Sequence, residues 1–148
     1  MTALPLLLSA ALSAAPCPPA AARCSCVPPG PPREALAQAE AVFAGRVVSV
    51  GEQRGGDPDQ PYLEVRIVPD RRWKGAAADT VTVRTPPNSA VCGVAFETGR
   101  EYLVYAEGGG GLRVFLCSRT AALADAGEDL AALGAPAATR IPVRKEIP

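Results

Sequence analysis

Apolar and polar residues alternate along several short stretches of this 148-residue chain, and the stretches are separated by glycine, proline and small polar residues. Val42 to Val50 is rich in β-branched residues and predicts a first strand, with Gly45 marking a bulge or tight bend. After a polar loop over 51–61, Leu63, Val65 and Ile67 alternate with Tyr62, Glu64 and Arg66, the two-residue period of a half-buried strand. Thr80 to Arg84 repeats it through Val81 and Val83. Glu101 to Ala106 and Leu112 to Cys117 flank a glycine run and predict a hairpin. Two segments carry helical composition: Arg33 to Ala41, behind a first-turn proline at Pro32, and Ala121 to Leu133, with a break at Gly127 and a cap at Gly134. Between Cys26 and the first helix, Val27-Pro28-Pro29-Gly30-Pro31-Pro32 is held to an extended, polyproline-like path.

Five short strands with flanking helices predict an all-β domain, and closure would remove its exposed edges. The expected architecture is a five-stranded closed barrel of the oligonucleotide/oligosaccharide-binding type (OB-fold), with a β-sandwich as the competing arrangement. Residues 4–15 are almost wholly apolar and too few to span a bilayer, the size of a signal-peptide core. Ala20 and Ala22 supply the small residues that a signal peptidase selects, placing the cut before Arg23. The expected organisation is therefore a signal peptide over 1–22, one domain over 23–134 and a mobile tail over 135–148. The destination is extracellular or periplasmic, with no membrane span.

Charge changes this picture by exclusion. Fifteen basic and fifteen acidic residues balance, which argues against nucleic acid or an anionic membrane as the main partner. The cluster Arg71-Arg72-Trp73-Lys74 resembles a base-stacking patch, but in a neutral chain it reads as a tryptophan closing the barrel end with its cations in water. No histidine occurs, so Ser-His-Asp and Cys-His catalysis are excluded and an enzyme is not expected. The carboxylate pairs Asp57/Asp59 and Glu128/Asp129 read as solvated charge. No cofactor is implied, and a monomer is expected.

Cleavage after Ala22 discards Cys17 and leaves Cys24, Cys26, Cys92 and Cys117, an even set suited to an oxidising compartment. Of the three pairings, Cys24–Cys26 is disfavoured because a two-residue spacing strains a disulfide. Both others tie the N-terminus to 92 and 117. A four-cysteine zinc site would ordinarily show paired knuckles, which residues 92 and 117 do not form. A thiol redox role for Cys24-Ser25-Cys26 is the remaining alternative.

Cys24-Ser25-Cys26-Val27-Pro28-Pro29, Ser89-Ala90-Val91-Cys92-Gly93-Val94, Glu101-Tyr102-Leu103-Val104 and Leu116-Cys117 together resemble the N-terminal inhibitory domain of the tissue inhibitors of metalloproteinases. Arg72-Trp73-Lys74-Gly75 and Leu116-Cys117-Ser118-Arg119-Thr120 look like the short, one-domain bacterial relatives of those inhibitors. The resemblance implies the pairings Cys24–Cys92 and Cys26–Cys117, and zinc metalloproteases as partners. It implies that the α-amine and carbonyl of Cys24 chelate the protease zinc, that Ser25 enters the primed-side pocket and that Val27 and Pro28 lie along the cleft. Ser89, Ala90 and Val91 would form a secondary contact loop. Against the animal pattern, no cysteine between 27 and 91 is present for a third disulfide in this region, a cysteine-rich C-terminal domain is not expected, and the expected cut leaves Arg23 ahead of Cys24. A non-inhibitory, disulfide-stabilised binding module is the alternative function.

Overall fold

The computed structural model describes residues 24–54 and 61–139. A seven-residue helix α1 (Pro32–Gln38) is the first regular element among the described residues, with Pro32 in its first turn where a missing N–H costs nothing. Two long strands follow, β1 (Ala41–Gln53) and β2 (Tyr62–Lys74), then β3 (Val81–Thr85), β4 (Glu101–Ala106), the two-residue β5 (Leu112–Arg113) and β6 (Ala121–Ala122). A short 3-10 turn over Leu123–Asp125 leads into helix α2 (Gly127–Leu133), and β7 (Ala138–Thr139) ends the described chain. The expected signal peptide, much of the 51–61 loop and the last residues of the tail lie outside the described residues.

The strands form one sheet in the order β5-β3-β2-β1-β4-β6, with β7 added to β2. The five-stranded closed barrel expected from the pattern is corrected here: the sheet is a curled half-barrel of six strands side by side, with β7 paired to β2 off that path. Among the described residues its ends are not joined by a ladder, and only the Glu107–Arg113 bridge links the chain after β4 to β5. The predicted strand over 112–117 stops after Arg113 because Cys117 is drawn away to bond Cys26. Likewise, the helix expected over 121–133 begins only at Gly127, since Ala121 and Ala122 pair with β4. The tail expected to be mobile contributes Ala138 and Thr139 to the sheet, opposite Arg72 and Arg71.

Gly45 does mark an irregularity: the β1–β2 register shifts there, and a Cβ would lie 2.5 Å from the Val68 carbonyl oxygen. Pro69 lies past the Leu63–Ile67 stretch of β2 that pairs with β3, and its register partner among the described residues is Gly45 of β1, where the ladder is already irregular.

Two apolar clusters fill the two sides of β1 and β4. Inside the curl, Phe43, Val47, Val65, Ile67, Val83, Phe96, Tyr102, Val104 and Val114 pack together. On the outer side, Val42, Ala44, Leu103 and Tyr105 pack against Leu36 of α1, Leu130 and Leu133 of α2, and Trp73. This double burial explains why β1 begins as a continuous apolar run and alternates only after Gly45. The cationic cluster is absorbed by structure: Trp73 Nε1 donates to the Gly134 carbonyl at 2.9 Å and Arg72 donates to the carbonyls of Ala76 and Ala78. Lys74 Nζ caps the end of α1 through the Leu36 and Ala37 carbonyls. These cations were expected to stay in water; Lys74 is exposed as expected, and Arg72 and Lys74 also satisfy carbonyls.

Candidate functional site

Residues 24–30 form an extended strip without regular secondary structure, and Ser25 to Gly30 are all exposed. Cys24 is bonded to Cys92 and Cys26 to Cys117, with Cα separations of 5.0 and 5.1 Å. The two bridges lie against each other: Cys24 Sγ is 3.9 Å from Cys26 Sγ and 3.7 Å from Cys117 Sγ, and Cys117 Sγ is 4.0 Å from Cys92 Sγ. The sulfurs of Cys24, Cys26 and Cys117 fall within 4.8 Å of one another, yet each is in a disulfide and has no thiolate to offer a metal.

The loop that receives Cys24 is built residue by residue. Pro86 and Pro87 end β3, and the Asn88 side chain accepts from the Ala90 amide at 3.0 Å, starting a 3-10 turn over Ser89–Val91. Cys92 then adopts a left-handed conformation at φ 66°. Gly93 follows because a Cβ there would lie 2.0 Å from the Pro86 carbonyl oxygen. The buried Thr85 hydroxyl accepts from the Val94 amide at 2.9 Å, fixing the loop's exit to β3. With the loop so held, the Ala90 carbonyl accepts from the backbone nitrogen of Cys24 at 2.9 Å, and the Cys92 carbonyl accepts from the Leu116 amide at 2.8 Å. Cys24 and the 89–91 loop, distant in sequence, thus meet at one hydrogen bond.

The far end of the strip is held by an arginine that the sequence named only within a resemblance. Arg119 donates through Nη1 to the Gly30 carbonyl at 3.0 Å, and through Nε and Nη2 to the two oxygens of Asp129 at 2.6 and 2.9 Å. Tyr105 donates its hydroxyl to the same carboxylate at 2.8 Å. Asp129 was expected to be solvated with Glu128; instead it is only 8 % exposed, because α2 turns that face onto β4, while Glu128 remains in water. Burial alone would push the Asp129 carboxyl up, but the hydrogen bonds from Arg119 and Tyr105 and the guanidinium charge hold it below the usual carboxylate range. Burial, followed by the neighbouring carboxylate, pushes the Tyr105 hydroxyl well above its ordinary value. The available signal was helical spacing: Asp129 shares a face with Ala126, Leu130 and Leu133, all packed inward.

Four large apolar residues are exposed among the described residues: Val27, Val48, Val91 and Leu116. Three of them directly neighbour a bridge cysteine, Val27 beside Cys26, Val91 beside Cys92 and Leu116 beside Cys117. Exposed apolar side chains gathered on one disulfide-stiffened ridge have the chemistry of a contact surface for another protein.

Residues 22–126 match the family model described as tissue inhibitor of metalloproteinase. Among curated proteins, the chain is 37 % identical over 123 residues to metalloproteinase inhibitor 2 of Canis lupus familiaris, covering 78 % of this chain and 53 % of that one. It is 35 % identical over 102 residues to the proteins of the same name from Homo sapiens and Rattus norvegicus, covering 64 % of this chain and 46 % of each. The chain spans about half the length of the curated relatives it matches.

Proposed function

The chain belongs to the tissue inhibitor of metalloproteinase family, and on that premise we propose that it is an exported inhibitor of zinc metalloproteases acting through the ridge that begins at Cys24. The observation that carries this reading is the tethering of the Cys24 nitrogen to the Ala90 carbonyl at the head of an exposed strip pinned by two bridges.

In a chain trimmed to Cys24 that nitrogen is a primary amine. Its neutral form has two N–H groups and one lone pair. One N–H can keep the bond to Ala90, which leaves the lone pair for the protease's zinc, and an α-amine with a pKa of about 7.7–8.0 supplies a usable neutral fraction at neutral pH. Among the described residues nothing donates to the Cys24 carbonyl oxygen, which is therefore available as the second ligand. Together they would displace the water that such an enzyme activates. Ser25 would then enter the adjoining specificity pocket, with Val27 and Pro28 along the cleft and Ser89, Ala90 and Val91 beside it. Export would expose the chain to the oxidising conditions its bridges need, and the domain would run from the mature N-terminus to about Gly134.

The test compares two forms of the protein against a panel of zinc metalloproteases, one beginning at a free Cys24 and one retaining Arg23. Inhibition by the first, abolished by acetylating its amine and absent from the second, is the expected result. Equal inhibition by both would remove chelation from the mechanism. No inhibition by either would favour the non-inhibitory binding module.

A further inference from the structure

Beside the ridge, on the far side of Val91, lies a cleft of about 590 Å³ lined by Pro61, Tyr62, Pro86, Pro87, Val91 and Phe115, with Arg84 and Arg113 among them. Arg84 and Arg113 are register partners in the parallel β3–β5 pair, so their side chains leave the same face of the sheet. Both are exposed. Each guanidinium sits over an aromatic ring, Arg84 4.9 Å from the centre of Tyr62 and Arg113 5.7 Å from that of Phe115.

Neither cation has an ion-pair partner among the described residues, although Glu64 and Glu107 are their own register partners on the neighbouring strands. Among the described residues, the one hydrogen bond from either guanidinium is a long 3.5 Å contact from Arg113 to the Gly108 carbonyl. Neighbouring like charges placed over rings, with no other partner among those residues, present donors to a planar anion.

We propose that this cleft is a second contact site, taking an acidic side chain carried on an extended apolar segment of the protein partner. The apolar walls favour a peptide over a polyanion. A sulfated polysaccharide or nucleic acid is held by many cations along its track, whereas this chain is electrically balanced and places two arginines in a proline and aromatic setting. Continuity through Val91 puts the site alongside the proposed protease-facing ridge. Identifying that partner with the inhibited protease rests on the function proposed above; the chemistry of the cleft does not.

The experiment uses the full mature chain, a capped ten-residue peptide alternating leucine and glutamate, and its glutamine counterpart. Binding is read by amide shifts around Arg84 and Arg113 and by calorimetry, so that protease, zinc and N-terminal processing play no part. The expected result is binding of the glutamate peptide at least tenfold tighter than the glutamine peptide. It should weaken with salt and fall at least tenfold in an Arg84→Gln/Arg113→Gln variant whose melting temperature matches wild type. Equal binding of the two peptides would overturn the proposal, as would full retention by the double variant. Heparin binding at these arginines in preference to the peptide would overturn it in favour of a polyanion site.

Discussion

Replacing Asp129 with asparagine keeps the shape of the side chain and removes its charge, which isolates what the carboxylate contributes. Asp129 accepts three hydrogen bonds, two from Arg119 and one from Tyr105, and the side chains of Arg119 and Asp129 are only 16 % and 12 % exposed. Breaking a buried pair from one side costs roughly 3–5 kcal/mol. Arg119 keeps the Gly30 carbonyl and the solvated Glu128 at 3.6 Å, so a loss of about 2–3 kcal/mol is expected, or about 10 °C in Tm for a domain of this size. The effect depends on pH. The folded carboxyl titrates below its unfolded value, so on acidification the unfolded chain takes up protons first. The stabilisation is complete above the unfolded pKa of about 4 and disappears as pH falls through the lower folded value. Urea titrations of wild type and Asp129→Asn from pH 7 to pH 2.5 should therefore converge in acid. A difference under about 0.5 kcal/mol at pH 7, or one that stays constant into acid, would refute the assignment of this charge as a structural clamp.

Three further outcomes follow from the same geometry. The Tyr105→Phe variant loses one hydrogen bond to a carboxylate, about 1–2 kcal/mol by thermal or urea unfolding. Because the folded hydroxyl is raised, wild type should lose stability above about pH 10, where the unfolded tyrosine ionises first, and the variant should lack that alkaline loss. A Cys26→Ser/Cys117→Ser variant opens a bridge of sequence separation 91, for which loop entropy gives about 4–5 kcal/mol; denaturation under non-reducing conditions reads this directly. Gly93→Ala places a methyl group 2.0 Å from the Pro86 oxygen, backbone against backbone, and should cost about 3 kcal/mol or more while shifting the amide resonances of residues 86–94.

Strand existence was legible wherever one face met the core and the other met water, as in β3, where Val81, Val83 and Thr85 are buried and Thr82 and Arg84 are exposed. It was legible in β4 for a different reason, a continuous apolar run that both clusters bury. What sequence pattern missed was set by long-range ties. Leu112 to Cys117 has strand composition throughout, yet the bridge to Cys26 takes the last residues out of the sheet. The second half of β2 was read as a surface cluster of cations, because its pairing with Ala138 and Thr139 and its carbonyl acceptors come from distant segments. The cysteines and the 89–91 loop were visible as motifs. Arg119 was visible only as part of a resemblance, since nothing local says that an arginine after Ser118 will reach a carbonyl at residue 30.

The ridge is consequently anchored at both ends, by the paired disulfides and the Ala90 carbonyl at Cys24 and by the Arg119 guanidinium at Gly30, with prolines restricting the residues between. A strip so restrained loses little entropy on binding, which favours a tight and slowly dissociating complex if its surface is the right one. The same restraint makes the proposed chemistry unforgiving. One residue ahead of Cys24 moves the free amine by about 3.5 Å along the chain, and the strip cannot slide to compensate because the bridge to Cys92 fixes its register. The nitrogen left at Cys24 is then an amide whose single N–H is already committed to Ala90, and an amide nitrogen has no basic lone pair for zinc. Removal of Arg23 would therefore act as a switch on the proposed activity, since it changes the chemistry of one atom and leaves both bridges and the fold beneath it in place.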